Sequence, residues 1–225
     1  MRGHGISSGA RSHVESFDDF SFDVLSAIGF AAENMSKEEK LFLLGHSMGG
    51  LVVLNTVLRH KKKLIVPLSG VILSNPCLKV KMPVNSWMRG GLAIGKGLMN
   101  NLRIPSVYKG DHLTHDENKS REFDTDPLIS RFMTLNLMSE LLTTSETIRT
   151  MSYFLDIPSL FLVSGEDELV DAATTKLFFK GCDKKMATLH FYDKLKHEIF
   201  NEIQADIAFS DLKNWMDGVI EGESS

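Results

Sequence analysis

Apolar residues recur along this chain with two different periods, and the two periods alternate. The stretch FDDFSFDVLSAIGFAAEN, residues 17–34, places Phe20, Val24, Ile28 and Ala31 at helical spacing. The apolar run at 41–44 is too short for a helix and predicts a buried strand. GGLVVLNTVLRHKKK then predicts a helix whose small first residues permit close packing. LSGVILSNP, residues 68–76, predicts a second strand ended by a turn signal. From about 79 to 155 the pattern changes to several helical stretches, many methionines and no convincing strand. IPSLFLVSGEDELVD, residues 157–171, restores a strand followed by an acidic loop, with a helix through 174–179 behind it. MATLHFYD predicts a further strand and FSDLKNWMDGVIEG a closing amphipathic helix.

Strands alternating with helices predict an α/β protein with a parallel sheet covered on both faces. The expected core is residues 1–78 and 156–225, and residues 79–155 form a helical insert, a cap or lid. Within it Trp87, Met88, Leu92, Ile94, Leu98 and Met99 could form one apolar helix face. That face suits a fatty acyl chain, a bilayer surface or the protein's own core. Residues 1–16, rich in Gly, Ser, Arg and His, read as loop.

Composition narrows the picture. The chain has 225 residues, 43% apolar and 24% charged, as in ordinary globular proteins, and a net charge of −4. No electrostatic footprint for nucleic acid results. The densest basic run, Arg59 to Lys63, closes a predicted helix, where it complements the dipole. Two cysteines far apart, Cys77 and Cys182, are no disulfide framework and point to a reducing compartment. No apolar run reaches the ~18 residues of a membrane span.

The chemistry enters at Gly45-His46-Ser47-Met48-Gly49. Gly-x-Ser-x-Gly is a weak signal alone, but here it lies between a predicted strand and a predicted helix. A strand-to-helix turn strains the serine backbone and lifts its hydroxyl clear, and the flanking glycines relieve crowding. The helix start behind it favours developing negative charge. Ser47 is the expected nucleophile, and it needs a base held by an acid. Chain order Ser, acid, His leaves His190 and His197 of the eight histidines. His190 is inside a strand, whereas His197 lies in the loop beyond it and takes the role. For the acid, Glu166, Asp167, Glu168 and Asp171 follow a strand; Asp167 is best placed and Glu166 second. The unused carboxylates are solvated or cap the next helix.

Arg2-Gly3-His4-Gly5 with SHVESFDDF, then GHSMGG, HLTHDENKSREFDTDPL, GEDELVD and KHEIFNE occur in one order. Over nearly its whole length the chain resembles the monoacylglycerol lipase and lysophospholipase branch of the α/β-hydrolases. The resemblance implies the α/β-hydrolase fold, Asp167 rather than Glu166 as the acid, and His197 as the base. It also implies a cap at 79–155 over an acyl channel, and a lipid ester substrate cleaved through an acyl-enzyme without metal or cofactor. Asp116 and Asp126-Pro127 match cap positions whose expected work is turn and helix-start chemistry.

The chain departs from the family at its start. The family's second oxyanion donor comes from a loop upstream of Arg-Gly-His-Gly, so Met48 N–H is expected as one donor with its partner missing, a loss worth about 10²–10³ in rate. The sheet is expected to be partial, with residues 41–44 an exposed apolar edge. Met1 is therefore read as an internal methionine of a longer enzyme. The expected place is the cytoplasm with peripheral membrane contact through the cap, although a missing N-terminus leaves secretion open. Two other functions fit the same residues: hydrolysis of short soluble esters or peptides, and a catalytically incomplete fragment that only binds lipid or a partner.

Overall fold

The computed structural model describes residues 1–36, 38–81, 101–106 and 108–222. Apart from short 3-10 turns, the described elements run in chain order. They are α1 (Asp18–Glu33), β1 (Phe42–His46), α2 (Met48–Arg59), β2 (Gly70–Ser74), β3 (Arg103–Pro105) and α3 (Glu117–Thr125). Then come β4 (Phe132–Thr134), α4 (Leu135–Arg149), β5 (Ser159–Ser164), α5 (Ala172–Lys180), β6 (Ala187–Tyr192) and α6 (Ala205–Glu221).

Four strands make one parallel sheet in the order β1-β2-β5-β6. Leu43 lies beside Val71, Val71 beside Ser159, and Ser159 beside Ala187. Every residue of β2 and β5 is buried, whereas β1 and β6 are only partly covered. That is why the two central strands read as unbroken apolar runs, since both of their faces meet other elements. β1 is an edge of this sheet, pairing among the described residues with β2 alone, and Leu44 stands 46% exposed on it.

The two faces carry separate cores. On one, Val71, Leu73, Phe161 and Val163 pack with Phe20 and Ile28 of α1, Leu51, Leu54 and Val57 of α2, and Phe178 of α5. On the other, Ile72, Leu160 and Leu162 pack with Ala208, Leu212 and Trp215 of α6. Trp215 approaches so closely that a Cβ at Gly70 would lie 2.6 Å from its ring. α1 docks on α2 through a polar seam: Asn55 donates to Asp18 and Ser21, and Arg59 pairs with Asp18 at 2.8 Å. Arg59 therefore serves the neighbouring helix as well as its own dipole.

The loop reading of residues 1–16 holds, and the loop is well tied down. Arg2 grips Asp23 of α1 through two nitrogens, at 2.7 and 2.5 Å. Thr134 N–H donates to Ser12 O, and Asn136 donates to Val14 O.

The insert differs from expectation in one respect. β3 and β4 form an antiparallel pair, Ile104 beside Met133. Each has three residues and β3 ends on a proline, too short for alternation to show in sequence. α4 is rooted in the main core, since Leu137, Leu141 and Ile148 belong to the cluster built on α2. Asp116 caps α3 by accepting from Asn118 and Lys119 N–H, and Asp126 accepts from Leu128 N–H, which is turn and helix-start chemistry. The apolar face expected from Trp87 to Met99 lies outside the described residues.

Candidate active site

Ser47 stands between the end of β1 and the start of α2 with φ 54° and ψ −120°. A side chain rarely adopts this conformation, and it is held from both sides. Ser47 N–H donates to Ser74 O at 2.9 Å, and Cys77 N–H donates to Ser47 O at 2.9 Å. The glycines around it divide their work differently from expectation. A Cβ at Gly45 would lie 2.4 Å from Gly49 O, and one at Gly50 would lie 2.9 Å from Pro76, whereas one at Gly49 meets nothing within 4 Å. Steric need thus falls on Gly45 and Gly50, because the turn folds the chain at 49 back over 45. Met48 opens α2, so its N–H has no acceptor within the helix.

The loop between β5 and α5 brings in Asp167, 1% exposed. Its Oδ1 accepts from Leu169 and Val170 N–H at 2.8 and 2.9 Å. Its Oδ2 faces His197 Nδ1 at 2.6 Å. His197 follows β6 and is 2% exposed. Because a carboxylate accepts, Nδ1 is the donor here and Nε2 is left as the basic nitrogen. Lys81 Nζ donates to Asp167 O.

The other candidate residues lie elsewhere. Glu166 is 3.3 Å from His115, Glu168 is 4.0 Å from His112, and Asp171 caps α5 by accepting from Thr174 N–H. His190 lies 3.3 Å from Asp211 of α6, away from Asp167.

A second imidazole adjoins the first. The His46 ring is 4.7 Å from that of His197; its Nδ1 is 3.0 Å from Ser74 Oγ and its Nε2 3.5 Å from Glu198 Oε1. Burial raises the Glu198 pKa, but the hydrogen bond with His46, the charges of His46 and His197, and the bond from Asn201 bring it below the usual carboxylate range. Cys77, at the same end of the sheet, is the opposite case: burial, with Asp167 near, pushes its thiol up to about 12. Burial, then Cys77 and Asp167, likewise pushes Tyr108 up to about 12.

Tyr108 also lines an apolar cavity of about 450 Å³ whose walls include Ile104, Leu128, Phe132, Met133 and Leu137. A second cavity, about 610 Å³ and more polar, is bordered by Lys119, Glu122, Asp126, Glu198 and Asn201.

Some of these residues left no readable signal. Lys81 and His46 are such cases: a lone lysine past a strand or a histidine before a serine has no period to betray it.

A parallel sheet whose strand ends carry a strained serine and a buried His–Asp pair defines an α/β-hydrolase of the serine-hydrolase type. A family model described as serine aminopeptidase, S33, matches residues 1–204, and the chain belongs to that family. It is 32% identical to phospholipase YtpA of Bacillus subtilis over 98% of this chain and 83% of that protein. It is 28% identical to the uncharacterized protein YnbC of Escherichia coli over 99% of this chain, and spans 37% of YnbC's length. Among solved structures, a monoacylglycerol lipase of Paleococcus ferrophilus superposes with a TM-score of 0.84 at 22% identity, covering 100% of this chain and 82% of that one.

Proposed function

We propose that the chain is a serine carboxylic-ester hydrolase acting on monoacylglycerols or lysophospholipids through Ser47, His197 and Asp167. The observation that carries the reading is the buried His197–Asp167 pair at 2.6 Å, one ring away from the residue that precedes a positive-φ serine. Ser47 Oγ attacks the ester carbonyl while His197 Nε2 takes its proton, and Asp167 orients the ring and stabilises the imidazolium. The Met48 N–H receives the developing oxyanion. His197 then protonates the leaving alcohol, and water, activated by the same base, releases the acid.

The substrate class draws support from two directions. The relatives are named for a phospholipase and a monoacylglycerol lipase. The apolar cavity also offers a place for an acyl chain, walled by the insert and the N-terminal loop. Residues 79–155 act as the cap, with α4 anchoring it in the core, and the cap makes peripheral contact with a lipid surface. Among the described residues no helix is long and apolar enough to cross a membrane.

A second reading, hydrolysis of short esters or peptides, is favoured by the name of the matching family. Covalent labelling by a fluorophosphonate, with Ser47→Ala as control, tests the chemistry; glycerol esters of increasing acyl length and aminoacyl amides test the substrate. Labelling lost in the variant and rates rising with acyl length are expected. Turnover confined to acetyl esters or amides selects the second reading, and no labelling of folded protein overturns both.

A further inference from the structure

We infer that Asn75 sets the separation of the nucleophile and the base, joining the backbone that holds Ser47 to the backbone that carries His197. This rests on the reading of those two residues given above. Asn75 directly follows β2, has φ 41° and is 1% exposed. Its left-handed backbone is one that asparagine tolerates better than most residues. The residues around it grip the nucleophile: Ser74 O accepts from Ser47 N–H, and Cys77 N–H donates to Ser47 O.

The Asn75 side chain reaches the other way. Nδ2 donates to His197 O at 2.8 Å and to Ser164 Oγ at 2.9 Å, while Oδ1 accepts from Ser164 N–H at 2.8 Å. Ser164 Oγ in turn donates to Lys196 O at 2.6 Å. Two consecutive carbonyls of the base loop are thus fixed to the ends of β2 and β5. Two backbone anchors of this loop run away from Ser47, since Glu202 accepts from Lys196 N–H and Leu113 O accepts from Glu198 N–H, while the Glu198 side chain lies 3.5 Å from His46. Asn75 thus ties His197 O, through its own side chain, to the strand end whose Ser74 and Cys77 backbone groups hold Ser47.

The side-chain amide fills every position on its near side with a partner, and a satisfied buried network is rigid. Rigidity matters here because a misplacement of ~1 Å can cost about 10²-fold in rate. Aspartate has the same shape and accepts the same backbone, but it puts an oxygen where two donors stood. His197 O and Ser164 Oγ would then face a lone pair, and Ser164 could satisfy it only by releasing Lys196 O.

The test is steady-state kinetics of Asn75→Asp on a soluble ester, normalised to sites titrated with fluorophosphonate, with the melting temperature measured alongside. The expected result is a fall in kcat of about 10- to 100-fold with KM changed less than about threefold, and a parallel fall in labelling rate. Ser164→Ala, which leaves the bond to His197 intact, loses less. A lower melting temperature with kcat per titrated site unchanged makes Asn75 merely structural and overturns the inference. Asn75→Gly keeps the positive φ and is read in the same way if the aspartate variant does not fold. Wild-type protein that fails to label removes the parent reading together with this one; labelled wild type with an unimpaired Asn75 variant removes this one alone.

Discussion

Asp167 has two separate tasks divided between its oxygens. Oδ1 is occupied by two backbone N–H groups, so the carboxylate cannot swing; Oδ2 is left for His197. Asp167→Asn keeps the shape but presents its amide N–H₂ either to the two backbone donors or to His197 Nδ1, which forces the wrong tautomer. A loss of kcat on the order of 10³–10⁴-fold is expected, with near-native circular dichroism. The elbow glycines give a sharper contrast. Gly45→Ala collides with Gly49 O and is expected to cost about 1–3 kcal/mol in urea denaturation. Gly49→Ala meets open space and exchanges glycine for a better helix former, so stability is expected to hold or rise by up to about 1 kcal/mol. The strained turn at Ser47 and the meeting of Asp167 with His197 were legible because motif, chain order and strand ends each restrict the choice. The unequal roles of the two glycines were not legible, since the collision is with backbone carbonyl oxygen brought near only by the turn itself.

At the scale of elements, strands and helices with strong periods were readable to within a few residues. β2 and β5 declared themselves by unbroken apolar runs, α1 by its 3.6 spacing, and α6 by its amphipathic pattern. The β3–β4 pair escaped because three residues carry no period, and its contacts are long-range: Met133 packs against the main core and Thr134 is bonded to Ser12. β1 gives an element-scale prediction. Leu44 lies half-exposed on β1, which among the described residues is a sheet edge, and the backbone groups of an edge invite another chain. Leu44→Lys is expected to reduce self-association in sedimentation velocity while changing stability by no more than about 0.5 kcal/mol. An unchanged or greater association would mean that this edge plays no part in it.

For the molecule as a whole, the carboxylates that join distant segments set the response to acid. Burial raises the Asp18 pKa, but bonds with Asn55 and His60 and the Arg59 charge lower it further; the bond from Arg2 lowers that of Asp23. Burial opposes ionisation of Asp171 as well, and Lys79 with Thr174 N–H outweighs it; Glu198 behaves alike beside His46. All four sit below the usual carboxylate value when folded. Their contribution is therefore complete above the unfolded-state value, near pH 4, and is lost as pH falls through the lowered values. The urea midpoint is expected to fall steeply below about pH 4, and Asp23→Asn is expected to flatten that fall. These pairings tie residues 1–36 to α2 and the insert's first residues to α5, at sequence separations that no local pattern encodes.

The burial of both thiols has a practical consequence. Cys77 sits beside the Ser47 turn and Cys182 just past α5, each pushed up to about 12, Cys77 by burial and the nearby Asp167 and Cys182 by burial alone. Near neutral pH the native protein offers an alkylating reagent almost no thiolate, whereas the unfolded chain offers two ordinary cysteines. Two natural clocks are therefore built into opposite regions of the chain. Pulses of iodoacetamide read by peptide mass would time the opening of the Ser47 turn separately from that of the α5 flank. Unequal rates would show the molecule coming apart in sections.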